Sequence, residues 1–387
     1  MNSLASRTPS ATRTAGAGEI RVLVVDDSAV IRGLTKRWVE AEADMVVVGA
    51  ASNGEQAIAE TKKCNPDVVV LDIEMPKMDG LTALPQILKH DPTIKVVMSS
   101  TLTARNAEIS LKALSLGAAD YVPKPEASAE LGARSTFQRE LIDKIRALAQ
   151  TRRPAARDRS APAARPSAKS SGTGPAWTLH SSKQGIKLRP SKAFRPDVVL
   201  IGSSTGGPQA LQAVMRSLAG KIRQPILITQ HMPATFTTIL AQHINAIPGV
   251  SCVEAEQGMA IKPGTAYLAP GGLHMLVDGH VGNCRVRLTE DPPENFCRPA
   301  VDPMFRSAVD AFGGKILAIV LTGMGHDGLN GGQEIIDKGG TLMAQDEATS
   351  VVWGMPGAVA TAGLCSAVLP LDRLGPAIAR FAEGGGL

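Results

Sequence analysis

The sequence predicts an α/β protein: two doubly wound parallel-sheet domains joined by a flexible linker. Three observations predict it. Short runs rich in Val and Ile recur through residues 19–125 and again from 197 onward, without the alternation of a half-exposed strand. Strands covered by helices on both faces read this way. Amphipathic patterns of helical spacing lie between the runs. Between the two α/β stretches, residues 150–195 are rich in Pro, Ala and Ser, a composition that cannot build a core.

The chain has 387 residues, enough for two domains of ordinary size. Aromatics make up only 3%, so the cores must be built from Val, Ile, Leu, Ala and Met. No apolar run approaches the ~20 residues of a membrane span. Residues 1–18 lack the apolar segment of a secretory signal and are expected to form a disordered leader. The five cysteines (Cys64, Cys252, Cys284, Cys297, Cys365) are scattered, with no Cys-x-x-Cys pair. Reduced thiols in a cytoplasmic protein are expected, not a disulfide frame or a zinc site. The net charge of +5 is concentrated in one place. Residues 150–195 hold eleven Lys or Arg against Asp158, a balance of +10, which leaves the remainder at −5. The basic segment reads as a solvated spacer, and nothing suggests a helix-turn-helix or a folded nucleic-acid surface.

The first domain is assigned to residues 19–140. Its strands are expected at 21–26, 45–50, 67–72, 94–99 and 119–122. Helical patterns fill 29–40, 54–63, 80–89, 104–116 and about 131–149. Asn65-Pro66 and Asp91-Pro92 mark turns into the third and fourth strands. Residues 141–192 are read as a helix end and the linker. The second domain covers 193–387, with strands at 197–201, 225–230, 315–321, 341–345 and 365–368. Its helices are expected near 208–218, 235–244, 301–312, 328–338 and 371–381. The interval 250–290 breaks this rhythm: β-rich pieces at 265–269, 274–277 and 285–288, separated by Gly and Pro, suggest inserted hairpins.

Carboxylates end two strands of the first domain: Asp26 and Asp27 after the first, Asp72 at the third. Ser100 follows the fourth and Lys124 the fifth. A doubly wound sheet brings these ends to one pocket. Three carboxylates there repel unless a cation lies between them, and hard oxygen ligands suit Mg²⁺. One of them can then attack a phosphoryl group. Helix capping alone explains a strand-end Asp, but not the Lys and hydroxyl at the other ends.

The runs Val24-Val25-Asp26-Asp27-Ser28, Leu71-Asp72-Ile73-Glu74-Met75-Pro76 and Tyr121-Val122-Pro123-Lys124-Pro125 resemble the receiver domain of bacterial response regulators, a flavodoxin-like fold. The resemblance implies that Asp72 accepts phosphate from a histidine kinase. It also implies Mg²⁺ at Asp26, Asp27, Asp72 and the Glu74 carbonyl. Ser100, or its neighbour Ser99, and Lys124 would bind the phosphoryl group. Tyr121 would be the aromatic that reorients on activation.

In the second domain the run 197–201 ends in Gly202-Ser203-Ser204-Thr205-Gly206-Gly207-Pro208, where a helical pattern begins at once. Strand, sharp glycine turn, helix is the geometry that lifts Ser204 as a nucleophile, although the same turn can cradle a phosphate. A serine needs a base, and the base an orienting acid. His231 ends the strand 225–230. His326 and Asp327 sit in a second glycine turn, Gly323-Met324-Gly325-His326-Asp327-Gly328. Two arrangements compete: Ser204–His231–Asp327, or Ser204–His326 with another acid. The first has the better geometry, because adjacent residues project differently and His326 is poorly placed to pair with Asp327. His243, His274 and His280 are read as surface or packing residues.

These glycine turns, with Gln230-His231-Met232-Pro233, resemble the chemotaxis-type protein-glutamate methylesterases, from about residue 193 to the C-terminus. The resemblance implies Ser204 as nucleophile, His231 as base, Asp327 as orienting acid, and Met324 and Thr205 as oxyanion donors. It implies hydrolysis of glutamate methyl esters on chemoreceptor cytoplasmic helices, with glutamine deamidation as a second activity. No cofactor is expected in that domain, and no membrane insertion or nucleic-acid partner. The chain order Ser…His…Asp also differs from the α/β-hydrolase order. The alternative is a receiver-linked serine hydrolase or amidase with a substrate outside chemotaxis. The long basic linker and His326, where the family commonly has Asn, depart from the family pattern.

Overall fold

The computed structural model describes residues 18–101, 103–124, 131–152, 185–191 and 193–386. Most of the expected leader, Pro125, and residues 153–184 of the linker with His180 lie outside the described residues. Two compact units are present, each with its own parallel sheet.

The first α/β stretch runs β1 (Ile20–Val25), α1 (Ala29–Glu40), β2 (Met45–Ala51), α2 (Gly54–Cys64), β3 (Val68–Asp72), α3 (Gly80–His90), β4 (Lys95–Thr101), α4 (Ala104–Ser115), β5 (Asp120–Lys124) and α5 (Leu131–Arg152). The strand order is β2-β1-β3-β4-β5, all parallel. Every residue of β3 is buried, as a strand covered on both faces requires. Polar side chains start the helices: Ser28 accepts from the Ile31 N–H, Asn53 from Gln56 and Asp79 from Thr82. Each such cap contributes about 1 kcal/mol. Helix α5 extends three residues beyond its expected end, into the stretch assigned to the linker. Arg152 explains the extension: its guanidinium donates to the Pro66 carbonyl and pairs with Asp91 at 2.7 Å.

The second unit contains β6 (Val198–Ser203), α6 (Gly207–Leu218), β7 (Ile226–Gln230), α7 (Ala234–Asn245), β8 (Cys252–Glu254), β9 (Ala266–Leu268), β10 (His274–His280), β11 (Asn283–Thr289) and α8 (Val301–Phe312). It continues with β12 (Ile316–Val320), α9 (Leu329–Asp337), β13 (Thr341–Gln345), α10 (Met355–Thr361), β14 (Ala367–Leu369) and α11 (Leu371–Ala382). Seven parallel strands lie in the order β14-β13-β12-β6-β7-β9-β8. Helix α6 buries Ala210, Leu211, Val214, Met215 and Leu218, a stripe of helical spacing. Each large side chain of that stripe contributes about 1.5–3 kcal/mol.

The hairpin expectation for 250–290 needs correction. Only β10 and β11 pair as an antiparallel hairpin. The piece at 265–269 holds β9, a parallel strand between β7 and β8. It is three residues long and flanked by Pro-Gly dipeptides, so its punctuation mimics a hairpin. Residues 185–191, expected in the linker, also belong here. Ile186 and Leu188 pack on the core, and the Arg189 N–H donates to the Cys365 carbonyl. Strand β8 and helix α10 were not anticipated.

Candidate functional site

Both candidate sites form where parallel strands end. In the first unit β1 lies between β2 and β3, so the chain leaves it in opposite directions and a crevice opens at its carboxyl end. Asp26 and Asp72 occupy that crevice, both buried, with Asp27 exposed beside them. Ligand atoms of the three carboxylates lie within 4.8 Å of one another. The Lys124 ammonium, at the end of β5, bridges Asp26 at 2.6 Å and Asp72 at 2.8 Å. Ser99 stands in register with Asp72, and Ser100 follows it; both are buried. Glu74 is exposed just past β3. Tyr121 is buried, with the Lys144 ammonium 5.2 Å from its ring centre and 2.6 Å from its carbonyl.

Burial pushes Asp72 up to about 6, against the Lys124 charge and helped by the Asp26 and Asp27 carboxylates. At neutral pH its ionised form is therefore held under strain. With divalent cations chelated, Asp72→Asn is expected to stabilise this unit by about 1–2 kcal/mol at pH 7.5. Because the folded-state value is raised, the gain is full above pH 6 and disappears as the pH falls below the unfolded value near 3.8. Urea unfolding of the wild type and variant at pH 7.5 and 4 measures this; equal midpoints at pH 7.5 refute it.

In the second unit the chain leaves β6 toward β7 on one side and returns to β12 on the other. Ser204 follows β6, His231 follows β7 and Asp327 lies beyond β12, so three neighbouring strands deliver the three residues. The turn after β6 is tightly specified. Gly206 has φ of 77°, and a Cβ there would come within 2.5 Å of Val351. A Cβ on Gly207 would collide with the Gln230 Oε1 atom. Backbone bonds fix the turn: the Ser204 N–H donates to the Thr322 carbonyl at 3.0 Å, and the His231 N–H to Ser203 at 3.1 Å.

His231 and Asp327 meet at 2.7 Å, from Nε2 to Oδ2. The Asp327 carboxylate is buried and fully engaged. Oδ2 also accepts the Val301 N–H at 2.6 Å; Oδ1 accepts from Asp302, Gly328 and the Asn295 amide at 3.0 Å each. Val301 and Asp302 open helix α8, whose own N-cap, Ala300, offers no side-chain acceptor. Asp327 thus caps α8 from another segment. Asp302 returns the favour at α9 by accepting the Gly331 N–H at 2.7 Å. Burial alone would raise the Asp327 carboxyl, but His231 and the backbone donors hold it below the usual range. Asp302 is pushed up by burial and by the neighbouring Asp327 charge.

Two sequence matches accompany this geometry. Residues 199–378 match the family described as CheB methylesterase, and residues 22–135 match the response regulator receiver domain. A protein-glutamate methylesterase/protein-glutamine glutaminase of Azospirillum brasilense is 53% identical over 96% of this chain and 95% of its own length. Its counterpart of the group 2 operon in Rhodospirillum centenum is 53% identical over 99% of each. The chain belongs to the CheB methylesterase family. The catalytic domain of Thermotoga maritima CheB, a solved structure, shares 37% identity over 47% of this chain and 96% of its own, with a TM-score of 0.46.

Within the methylesterase domain, the structure joins His231 to Asp327 and leaves His326 exposed. Among the described residues no hydrogen bond links the Ser204 hydroxyl to His231. The Met324 N–H carries no hydrogen bond among them either, which leaves it available as a donor. Thr205 is buried beside Ser204, and its carbonyl accepts from the Thr322 hydroxyl at 2.9 Å. His274 is a satisfied packing residue, accepting from the Ala300 N–H and reaching the Pro292 carbonyl.

Sequence reasoning missed four groups that shape this site. Gln230 takes the Ser203 hydroxyl at 2.7 Å and donates to the Ser204 carbonyl at 2.9 Å, tying β7 to the serine turn. Asn295 bridges Asp327 and Asp302. Asp302 is itself buried behind them. Cys297 places its sulfur 3.3 Å from His231 Nδ1. A Gln beside the strand-end His was the one signal available in the sequence; the loop 294–298 gave none. In the receiver domain, Lys144 was also missed. Among the described residues of the whole chain, no helix is long and apolar enough to cross a membrane.

Proposed function

We propose that the chain removes methyl groups from glutamate γ-methyl esters on chemoreceptor helices, under the control of phosphorylation at Asp72. One observation carries the catalytic half of this reading: His231 at the strand end next to the Ser204 turn, bonded to a buried and ionised Asp327. An ionised carboxylate only accepts, so Nε2 carries the proton between them. Nδ1 is the nitrogen left to serve as base. Ser204 Oγ attacks the ester carbonyl carbon while its proton passes to Nδ1. The tetrahedral oxyanion is met by the Met324 N–H, with Thr205 as second donor. The bond to the methoxy oxygen breaks, the imidazolium returns its proton, and methanol leaves. Water then attacks the acyl-enzyme with His231 again as base, releasing the glutamate carboxylate and Ser204. A glutamine side chain follows the same route with ammonia as leaving group.

In the receiver domain Asp72 attacks the phosphoryl group carried by a histidine kinase. Lys124 and Ser100 contact the phosphoryl oxygens, and Tyr121 is the aromatic that responds. Asp26, Asp27, Asp72 and the Glu74 carbonyl would hold Mg²⁺; the converging hard oxygen donors fit that ion. When bound, it supplies positive charge against the phosphoryl oxygens. The reaction belongs in the cytoplasm, where kinase and receptor helices lie, without nucleic acid or membrane insertion.

Methanol release from methylated receptors, with the full chain, tests the coupling. A small phosphodonor is expected to raise the rate about 5- to 150-fold in the wild type and not at all in Asp72→Asn. Equal wild-type rates with and without the donor refute the control; no methanol under either condition refutes the esterase reading.

A further inference from the structure

His231 has two ring nitrogens, and both are occupied. Nε2 faces Asp327 at 2.7 Å, while Nδ1 faces the Cys297 sulfur at 3.3 Å. That second distance is a normal hydrogen bond for a thiol. With Nε2 protonated, the lone pair of a neutral ring lies on Nδ1, and the thiol S–H donates to it. The same lone pair must take the proton of Ser204, whose hydroxyl makes no hydrogen bond to His231 among the described residues.

The loop that presents Cys297 is firmly placed. Glu294 and Cys297 pair across it through two backbone bonds, of 3.1 and 2.9 Å. Glu294 takes both guanidinium nitrogens of Arg306 on α8, at 2.7 and 2.6 Å. Asn295 reaches both Asp302 and Asp327. Arg298 donates to the carbonyls of Glu290 and Asp291. Cys297 is therefore held against the imidazole by its neighbours on both sides.

We propose that Cys297 is a positioning residue that restrains His231, because its thiol occupies the ring nitrogen that Ser204 requires. The inference rests on the reading of His231 as the base of Ser204. Catalysis then needs an exchange at Nδ1: the S–H bond is given up and the Ser204 O–H takes its place. No bond is formed or broken in the exchange beyond these hydrogen bonds, and the thiol keeps its proton. The resting state is stabilised at the expense of the reactive one, and the site becomes fully competent only when bound substrate brings serine and imidazole together.

The electrostatic surroundings agree with this placement. The titratable groups facing the ring are the Cys297 sulfur from the loop before α8 and the Asp327 carboxylate from the turn before α9. Asp302 on α8 reaches it only through Asp327 and Asn295. Burial alone would lower the His231 value, and the Asp327 carboxylate beside Nε2 works against it. Ser204 is activated only by the neutral ring, so activity should rise with pH along an acid limb set by His231. A thiol that donates to Nδ1 favours the neutral ring, so removing it moves that limb to higher pH.

The test compares wild type, Cys297→Ala and Cys297→Ser in the full chain with saturating phosphodonor, following methanol release from methylated receptors across pH. In Cys297→Ala the acid limb of kcat/KM is expected about one pH unit higher, with kcat on the plateau above that limb up to tenfold higher and KM unchanged. Cys297→Ser retains an O–H donor and is expected between the two. Placed in a His231→Gln background, Cys297→Ala should have no further effect. An acid limb that does not move upward in either variant overturns the proposal. So does a fall in kcat in Cys297→Ala that Cys297→Ser restores, since the thiol would then assist the reaction. If Cys297→Ala does not fold, the serine variant decides alone: a raised limb supports the restraint, and an unmoved or lowered one overturns it. A Ser204→Ala control separates the two levels. Loss of methanol release there with unmoved Cys297 variants sinks only the restraint, whereas full activity in Ser204→Ala removes the reading beneath it.

Discussion

Replacing Ser204 with Ala is expected to lower methanol release from methylated receptors by roughly 10⁴- to 10⁶-fold, the range seen when a hydrolase loses its nucleophile. The loss should appear in kcat, with receptor binding retained, because the hydroxyl contributes little to seating a folded substrate. Stability should be nearly unchanged, since the Ser204 hydroxyl makes no hydrogen bond among the described residues. What holds the turn is backbone and Gln230, and both survive the substitution. Phosphorylation of Asp72 by a small donor should proceed as in the wild type, which serves as the folding control. Methanol release at more than a hundredth of the wild-type rate would assign the nucleophile elsewhere.

The second large effect is expected at Asp327, where activity and stability can be pulled apart. In Asp327→Ala the N–H groups of Val301, Asp302 and Gly328 lose their shared acceptor inside the domain. Each such orphaned donor costs about 1–3 kcal/mol. Partial relaxation limits the sum, so a loss of about 3–5 kcal/mol is expected for the methylesterase domain. Asp327→Asn keeps the shape and one acceptor oxygen and should lose far less. Both variants should lose about 10⁴ in kcat, because neither fixes Nε2–H toward an anion. Urea unfolding beside methanol release reads both quantities. An asparagine variant with near-normal activity would show that the carboxylate caps α8 without orienting the base.

The residues legible in the sequence share a physical reason. Asp26, Asp72, Ser204 and His231 each stand where a buried run of Val and Ile stops, and such runs announce a parallel strand whose end faces a crevice. Asp327 was legible through the glycine turn that carries it. Strand β9 was not legible as part of the main sheet: three residues give no period, and its Pro-Gly neighbours imitate hairpin punctuation. Asn295 and Cys297 were hidden for another reason. They lie in a loop without periodicity, and their partners are 32 and 66 residues away, so only the closed fold brings them to Asp327 and His231. The linker was overdrawn at both ends because composition cannot see the single contacts, at Arg152 and Arg189, that fasten its borders.

The order of strands in the second sheet also governs when activity can begin as the chain is synthesised. Strand β6, which carries the serine turn, pairs on one side with β12, and Thr205 is tied to Thr322 across 117 residues. The Ser204 turn emerges from the ribosome early, but its sheet neighbour β12 and Asp327, the partner of His231, come much later. Contacts of such long separation form late and slowly. A partly made or truncated methylesterase domain therefore holds a serine turn without the Thr322 tie and without the Asp327 partner of His231. Esterase activity arrives only with the finished sheet, by which time the receiver domain ahead of it in the chain has already been translated in full.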